Sequence, residues 1–204
     1  MTEEQKMTGG IKDLIRVRRH FINLIIMVSV WIASSFDFYL LNFQMKNIKG
    51  NIFLNTFTSS LSELPAIIIS GFMYKKIGMK ITLISWFSIA LTGGLCLLIL
   101  GNANENLIPV FVLFAKAGVS ATFNLCYLAN AQIFPAIFAG TAFGICNIGA
   151  KLTTILAPLM DEAKPPVPMI LFCLTAIVAG TLSFFIKKAP ESENKEKVSK
   201  DEGN

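Results

Sequence analysis

Five charged side chains sit in or against long apolar runs of this chain. Asp37, Glu63, Lys116 and Lys151 lie inside such runs, and Lys80 stands at the edge of one. Carboxylate and ammonium groups in those places can pair with one another, bind an ion of opposite sign or carry a proton. A charge at the centre of a bilayer costs about 2.5–3.5 kcal/mol on insertion scales, so it faces a partner or a water-filled cavity. The sequence offers no nucleophile–base pair, phosphate loop or metal-ligand cluster, so enzymatic activity is not expected. Cys96, Cys126, Cys146 and Cys173 have no ligand spacing. They read as small buried hydrophobes, and no cofactor is implied.

The apolar runs set the elements that must hold these groups. Of 204 residues, 53% are hydrophobic and only 15% are charged, and the mean hydropathy is +0.60. A soluble domain averages about 25% charged residues. Six stretches reach the length of about 20 residues that a bilayer demands: 21–42, 52–72, 81–100, 108–130, 141–160 and 167–186. They are continuously apolar rather than alternating, which selects helices over barrel strands. The expected fold is an all-α membrane protein. Residues 1–20 form a basic N-terminal segment, 21–188 a six-helix transmembrane domain, and 189–204 a polar tail expected to be disordered.

Basic residues orient it. Thirteen of them fall on one side: Lys6, Lys12, Arg16, Arg18, Arg19, Lys75, Lys76, Lys80, Lys187, Lys188, Lys195, Lys197 and Lys200. Only Lys46, Lys49 and Lys164 fall on the other. The positive-inside bias then puts both termini in the cytosol. The net charge of +5 is read as topology, and nucleic acid is not an expected partner. His20, beside Arg18 and Arg19, reads as interfacial.

Depth follows from a rise of 1.5 Å per residue. Glu63 lies roughly 16 Å from the outer end of its span and Lys151 roughly 15 Å from the inner end of its own. Opposite charges at matched depth near the midplane predict a pair across helices, made with each other or through a substrate. Asp37 and Lys116 form a second matched set in the outer half, where both can also reach headgroups. Trp31, Phe36, Phe38 and Tyr39 fall on the first span, and the face of an aromatic ring attracts cations by its quadrupole. Against that stand seventeen phenylalanines spread over the whole chain, most of which must be packing. Trp86 reads as core or interface. Gly140 and Gly144, followed by Gly149-Ala150, give a small-xxx-small spacing expected to pack tightly within the bundle. Pro65, Pro135 and Pro158 are expected kinks or ends.

Four local patterns occur in order. Asn51-Ile-Phe-Leu-Asn55 leads to Leu61-Ser-Glu-Leu-Pro-Ala66. Gly71-Phe-Met-Tyr-Lys-Lys-Ile-Gly78-Met-Lys80 is similar to a loop signature G-x-L-x-D-R-x-G-R-R. Ala115-Lys116-Ala-Gly118 runs on to Tyr127-Leu-Ala-Asn-Ala-Gln132-Ile-Phe-Pro135. Gly144-Ile-Cys-Asn-Ile-Gly-Ala150-Lys151 ends at Pro158. Together they resemble the C-terminal six-helix half of the major facilitator superfamily, in its organic cation/anion transporter branch.

The resemblance implies transport of small organic ions by alternating access, from a site between two six-helix halves and in the plasma membrane. Its expected partners are the lipid bilayer, the organic ion, and a second half, a homodimer partner or other membrane subunits. It implies substrate-binding roles for Glu63, Lys151, Phe38 and Tyr39, and their matched depth adds Asp37 and Lys116 as candidates for the same role. Phe38 and Tyr39 match the family's aromatic pair. The Lys151 position is acidic in cation carriers and basic in anion carriers, whereas Glu63 matches an acid of cation carriers. The two therefore imply opposite substrate signs.

Departures from the pattern fall on the family's cytoplasmic charge clasps. The expected aspartate is Lys75, a basic position is Met79, the glutamate is Gln132 and the arginine is Ala139. Those losses motivate an alternative, a transport-inactive structural subunit of a larger complex. A fragment of a full-length carrier is the third expectation.

Overall fold

Proline, glycine and one asparagine cap decide where the helices begin and end. A computed structural model describes residues 10–48, 50–100 and 105–187. The expectations for residues 1–9, Lys49, the connection at 101–104 and the tail from 188 onward lie outside the described residues. A short α1 (Ile11–Arg16) precedes α2 (Arg18–Gln44), α3 (Ile52–Ile77), α4 (Met79–Leu100), α5 (Ile108–Ile133), α6 (Ala136–Thr154), α7 (Leu156–Asp161) and α8 (Val167–Ser183). A 3₁₀ turn, Glu105–Leu107, leads into α5. Five helical stretches are long and apolar enough to cross a membrane, α6 and α7 counting as one, and α8 is a shorter apolar helix. The six expected spans are present, each shifted by a few residues at its ends.

The boundaries have local causes. Asn51 caps α3, its Oδ1 accepting from the backbone N–H groups of Phe53 at 2.9 Å and Leu54 at 3.3 Å. That satisfies two of the free donors at a helix start. α3 ends because Gly78 takes φ 81°, a region that residues with a Cβ avoid. α4 begins at the next residue. The connection expected around Lys75–Lys80 is thus a single glycine: Lys75 and Lys76 ride the last turn of α3, where the helix dipole favours cations. Lys80 sits in the first turn of α4, its Nζ 3.5 Å from the carbonyl oxygen of Phe184. Phe134 is extended, as the residue before a proline prefers, and this separates α5 from α6. Pro158 lacks an N–H for the carbonyl of Thr154, and its ring crowds that carbonyl. The expected span 141–160 accordingly breaks at Ile155 into α6 and α7. Pro65 is accommodated within a continuous α3.

Packing sorts the helices by burial. α2 and α5 touch each other and form the centre of the bundle. α4 and α8 pack on each other behind them, α3 flanks α5, and α6 flanks α2. The closest approach is between α4 and α5. A Cβ at Gly93 would run into the backbone of Ala115, and one at Gly118 into the backbone of Ala90. Gly140 and Gly144 do not play this part: a Cβ at either meets nothing within 4 Å. The expected tight packing at that pair is therefore corrected, because α6 turns these glycines to its open side. Trp86 is core. His20 is buried rather than interfacial and packs on the Phe138 ring at 5.5 Å between centroids.

One polar clasp closes the bundle. The Asn23 amide in α2 donates from Nδ2 to the Lys187 carbonyl at 2.6 Å. Its Oδ1 accepts from the Lys187 N–H at 3.0 Å. A buried side-chain amide thereby satisfies both backbone groups of a residue beyond α8.

Candidate functional site

The face bounded by α3, α5, α2 and α6 carries the charged and aromatic groups. Lys116 of α5 is fully buried. Its Nζ lies 3.0 Å from Glu63 Oε1 of α3, donates to Asn42 Oδ1 of α2 at 2.6 Å, and stands 3.5 Å from the Phe38 ring centroid. A buried ammonium is tolerable only when paired and hydrogen-bonded, and these three groups surround it. The cluster ties three helices together at one point.

The expected pairings are therefore corrected. Glu63 meets Lys116 rather than Lys151, and Asp37 does not meet Lys116. Asp37 is fully buried, and its Oδ1 accepts from Thr175 Oγ1 of α8 at 2.6 Å. Being adjacent to Phe38 on a helix, it points roughly 100° away from the open face. Lys151 is exposed, its Nζ 5.7 Å from the Tyr39 ring centroid, with no carboxylate in ion-pair reach among the described residues.

An aromatic floor runs between the two lysines. Phe38 meets Tyr39 edge-on at 5.4 Å and stacks on Phe123 at 5.5 Å with planes 22° apart. Phe123 meets Tyr127 at 5.6 Å, Tyr127 meets Trp31 at 4.9 Å, and Phe143 contacts both Trp31 and Tyr127. Such ring pairs contribute about 0.5–1.5 kcal/mol each beyond their buried area. Phe38, Tyr39 and Phe123 are half-buried, while Tyr127 and Phe143 are exposed. Among the described residues the surface offers ring faces, one free ammonium at its edge and one neutralised ion pair beneath.

Of the six expected site residues, Glu63, Lys116, Phe38, Tyr39 and Lys151 are brought into one neighbourhood. Asp37 is not. Asn42, Phe123, Tyr127 and Phe143 belong to it and were not singled out as site residues. A signal existed for two of them: Lys116, Phe123 and Tyr127 fall at seven- and four-residue steps, along one side of α5.

An all-α, multi-pass integral membrane protein, built like one half of a major facilitator superfamily transporter, is what this fold and face define. Its likeness in sequence is to the organic cation, anion and carnitine transporters of that superfamily. The chain is 29% identical over 193 residues to organic cation/carnitine transporter 4 of Arabidopsis thaliana, covering 92% of this chain and 35% of the relative. It is 26% identical to a solute carrier family 22 member 15-like protein of Xenopus tropicalis, covering 93% of this chain and 40% of that one. With organic anion transporter 3 of Rattus norvegicus the identity is 26%, over 89% and 34% of the two chains. No family model matches the chain. It thus spans between a third and two-fifths of the length of these curated relatives.

Proposed function

We propose that the chain is one half of a carrier for small organic anions, working by alternating access against a second six-helix unit. One observation carries the sign of the substrate. Glu63 is neutralised by Lys116, which leaves the exposed Lys151 as the uncompensated charge beside the aromatic floor. An aromatic carboxylate fits such a surface, its ring on Tyr39 and Phe38 and its charge on the ammonium. The sign conflict between Glu63 and Lys151 disappears on this reading, since of these two Lys151 alone is left without an ion-pair partner among the described residues.

The need for a second unit is supported by what the flanking helices expose. α3 carries a ridge of Phe53, Phe57, Leu61, Leu64, Ile68 and Phe72, all exposed. α6 carries the open Gly140 and Gly144. A ridge and a notch of this kind suit helix–helix contact. That the relatives are about two and a half to three times longer fits a second unit supplied elsewhere, in the same polypeptide or by another chain. The excess of basic residues on one side supports placing both termini of the chain in the cytosol.

Uptake into proteoliposomes holding the full chain, with and without a co-expressed second six-helix unit, tests this. An aromatic carboxylate should be taken up in preference to an aromatic amine, and Lys151→Glu should reverse that order. Uptake with no dependence on the charge at position 151 would sink the anion reading.

A transport-inactive subunit is favoured by one specific contact. At Ala139, where the resemblance implies a clasp arginine, Asn130 Nδ2 donates to the Ala139 carbonyl at 3.0 Å, a neutral brace between α5 and α6. Fixed-stoichiometry co-purification with unrelated membrane subunits, without uptake under any pairing, would establish that reading instead.

A further inference from the structure

Asp37 is the acid that the open face does not use. Its Oδ2 has no hydrogen-bond partner among the described residues. Its Oδ1 lies 2.6 Å from Thr175 Oγ1, which is also 2.9 Å from the carbonyl oxygens of Leu171 and of Phe172. A threonine hydroxyl has a single hydrogen to give, and inside a helix it is normally given to the carbonyl one turn back.

Two arrangements satisfy this geometry. If Asp37 is a carboxylate, Thr175 spends its hydrogen there. The second oxygen then bears charge with no donor, in a fully buried place between two membrane helices. If Asp37 holds a proton, its O–H donates to Thr175 Oγ1 and the threonine hydrogen goes to Leu171. Every donor is then used, and the unpartnered oxygen is a neutral carbonyl. No cation compensates the first arrangement among the described residues. α8 presents the Thr175 hydroxyl and the Cys173 thiol, and α5 presents Lys116, committed to Glu63 and Asn42. α6 presents Lys151 over Tyr39, and α7 has its only acid at its last residue, Asp161.

Thr175 has a second neighbour. It lines a cavity of about 490 Å³ between α2, α6–α7 and α8, whose other hydroxyls are Ser29 and Thr153 and whose walls are otherwise apolar. Thr175 therefore stands between a buried acid and this space.

We propose that Asp37 is a proton-binding site that loads and unloads through this cavity. On release, the carboxyl O–H bond breaks and the proton passes to water. The Thr175 hydroxyl then turns from the Leu171 carbonyl to donate to the carboxylate. Loading is the reverse. The site is separate from the anion surface and does not depend on that reading.

Infrared spectroscopy of the full chain in lipid vesicles tests it. At neutral pH the spectrum should contain the carbonyl stretch of a protonated carboxyl group. Asp37→Asn should remove that band, Thr175→Val should shift it, and transfer to heavy water should shift it in the unaltered protein. Retention of all protonated-carboxyl signal in Asp37→Asn would overturn the assignment. A band unmoved by heavy water would overturn exchange through the cavity. Should the variants fail to fold, aspartate-selective ¹³C labelling of the unaltered chain gives the same answer. Only Asp13, Asp37, Asp161 and Asp201 would be labelled, and among the described residues Asp37 alone of these lies in a long helix. A spectrum of carboxylates alone would again overturn the site.

Discussion

Glu63 and Lys116 form an ion pair of 3.0 Å in which the lysine is fully buried and the glutamate is one-third exposed. The asymmetry matters. Losing the glutamate strands an ammonium in the bundle, whereas losing the lysine leaves a carboxylate that still reaches the open face. Substitutions on the two sides of this contact are therefore not equivalent.

Glu63→Gln should destabilise the bundle by about 1–3 kcal/mol, less than the loss of a fully buried pair because Glu63 is one-third exposed and Asn42 still accepts from the lysine. Lys116→Met should cost less, and the double variant less than Glu63→Gln alone. Denaturant titration of the four proteins in mild detergent measures this as a double-mutant cycle. A strictly additive result would mean the two side chains do not interact.

Lys151 is exposed and bonded to nothing among the described residues except through the Tyr39 ring. Lys151→Glu should change stability by no more than about 0.5 kcal/mol. It should nevertheless weaken binding of an aromatic carboxylate at least tenfold, about 1.4 kcal/mol. Equilibrium binding of a labelled carboxylate, read beside thermal unfolding, separates the two effects.

Glycines on α5 and α6 should behave in opposite ways. Gly118→Val drives a side chain into the backbone of Ala90 and should lower the yield of folded protein sharply. Gly144→Val meets open space and should leave the isolated bundle intact. If a second unit packs against α6, Gly144→Val should also weaken its association, which crosslinking in native membranes would detect.

Asn23→Ala removes both hydrogen bonds to Lys187 and leaves a backbone N–H and C=O without their partner. A loss of about 1–3 kcal/mol is expected. Hydrogen exchange should rise specifically over residues 184–187 while the middle of α2 stays protected.

How much of this was legible beforehand depends on which coordinate is meant. Position along a helix follows from counting residues, so the apolar helices themselves were readable. Rotation about the helix axis and the choice of neighbour were not. Counting matches Glu63 and Lys151 in depth, but they sit on α3 and α6, helices on opposite flanks with α2 and α5 between them. Asp37 and Phe38 are adjacent in sequence, yet one faces α8 and the other the open surface. The step from Lys116 to Phe123 to Tyr127 carried rotational information, and it marked one side of α5. The glycine pair misled for the same reason: spacing says that two small residues share a face, not what that face meets.

The amide clasp between Asn23 and Lys187 holds the beginning of the first long helix and the end of the last within hydrogen-bonding distance of each other. Topologically the bundle is almost a closed loop. Two copies fused in tandem could be joined at this point with little excursion of the linker. The same closure lets the order of helices be permuted, with new ends opened at Gly78 and the old ones sealed. A chain permuted in this way is expected to keep the surface that holds Phe38, Tyr39 and Lys151.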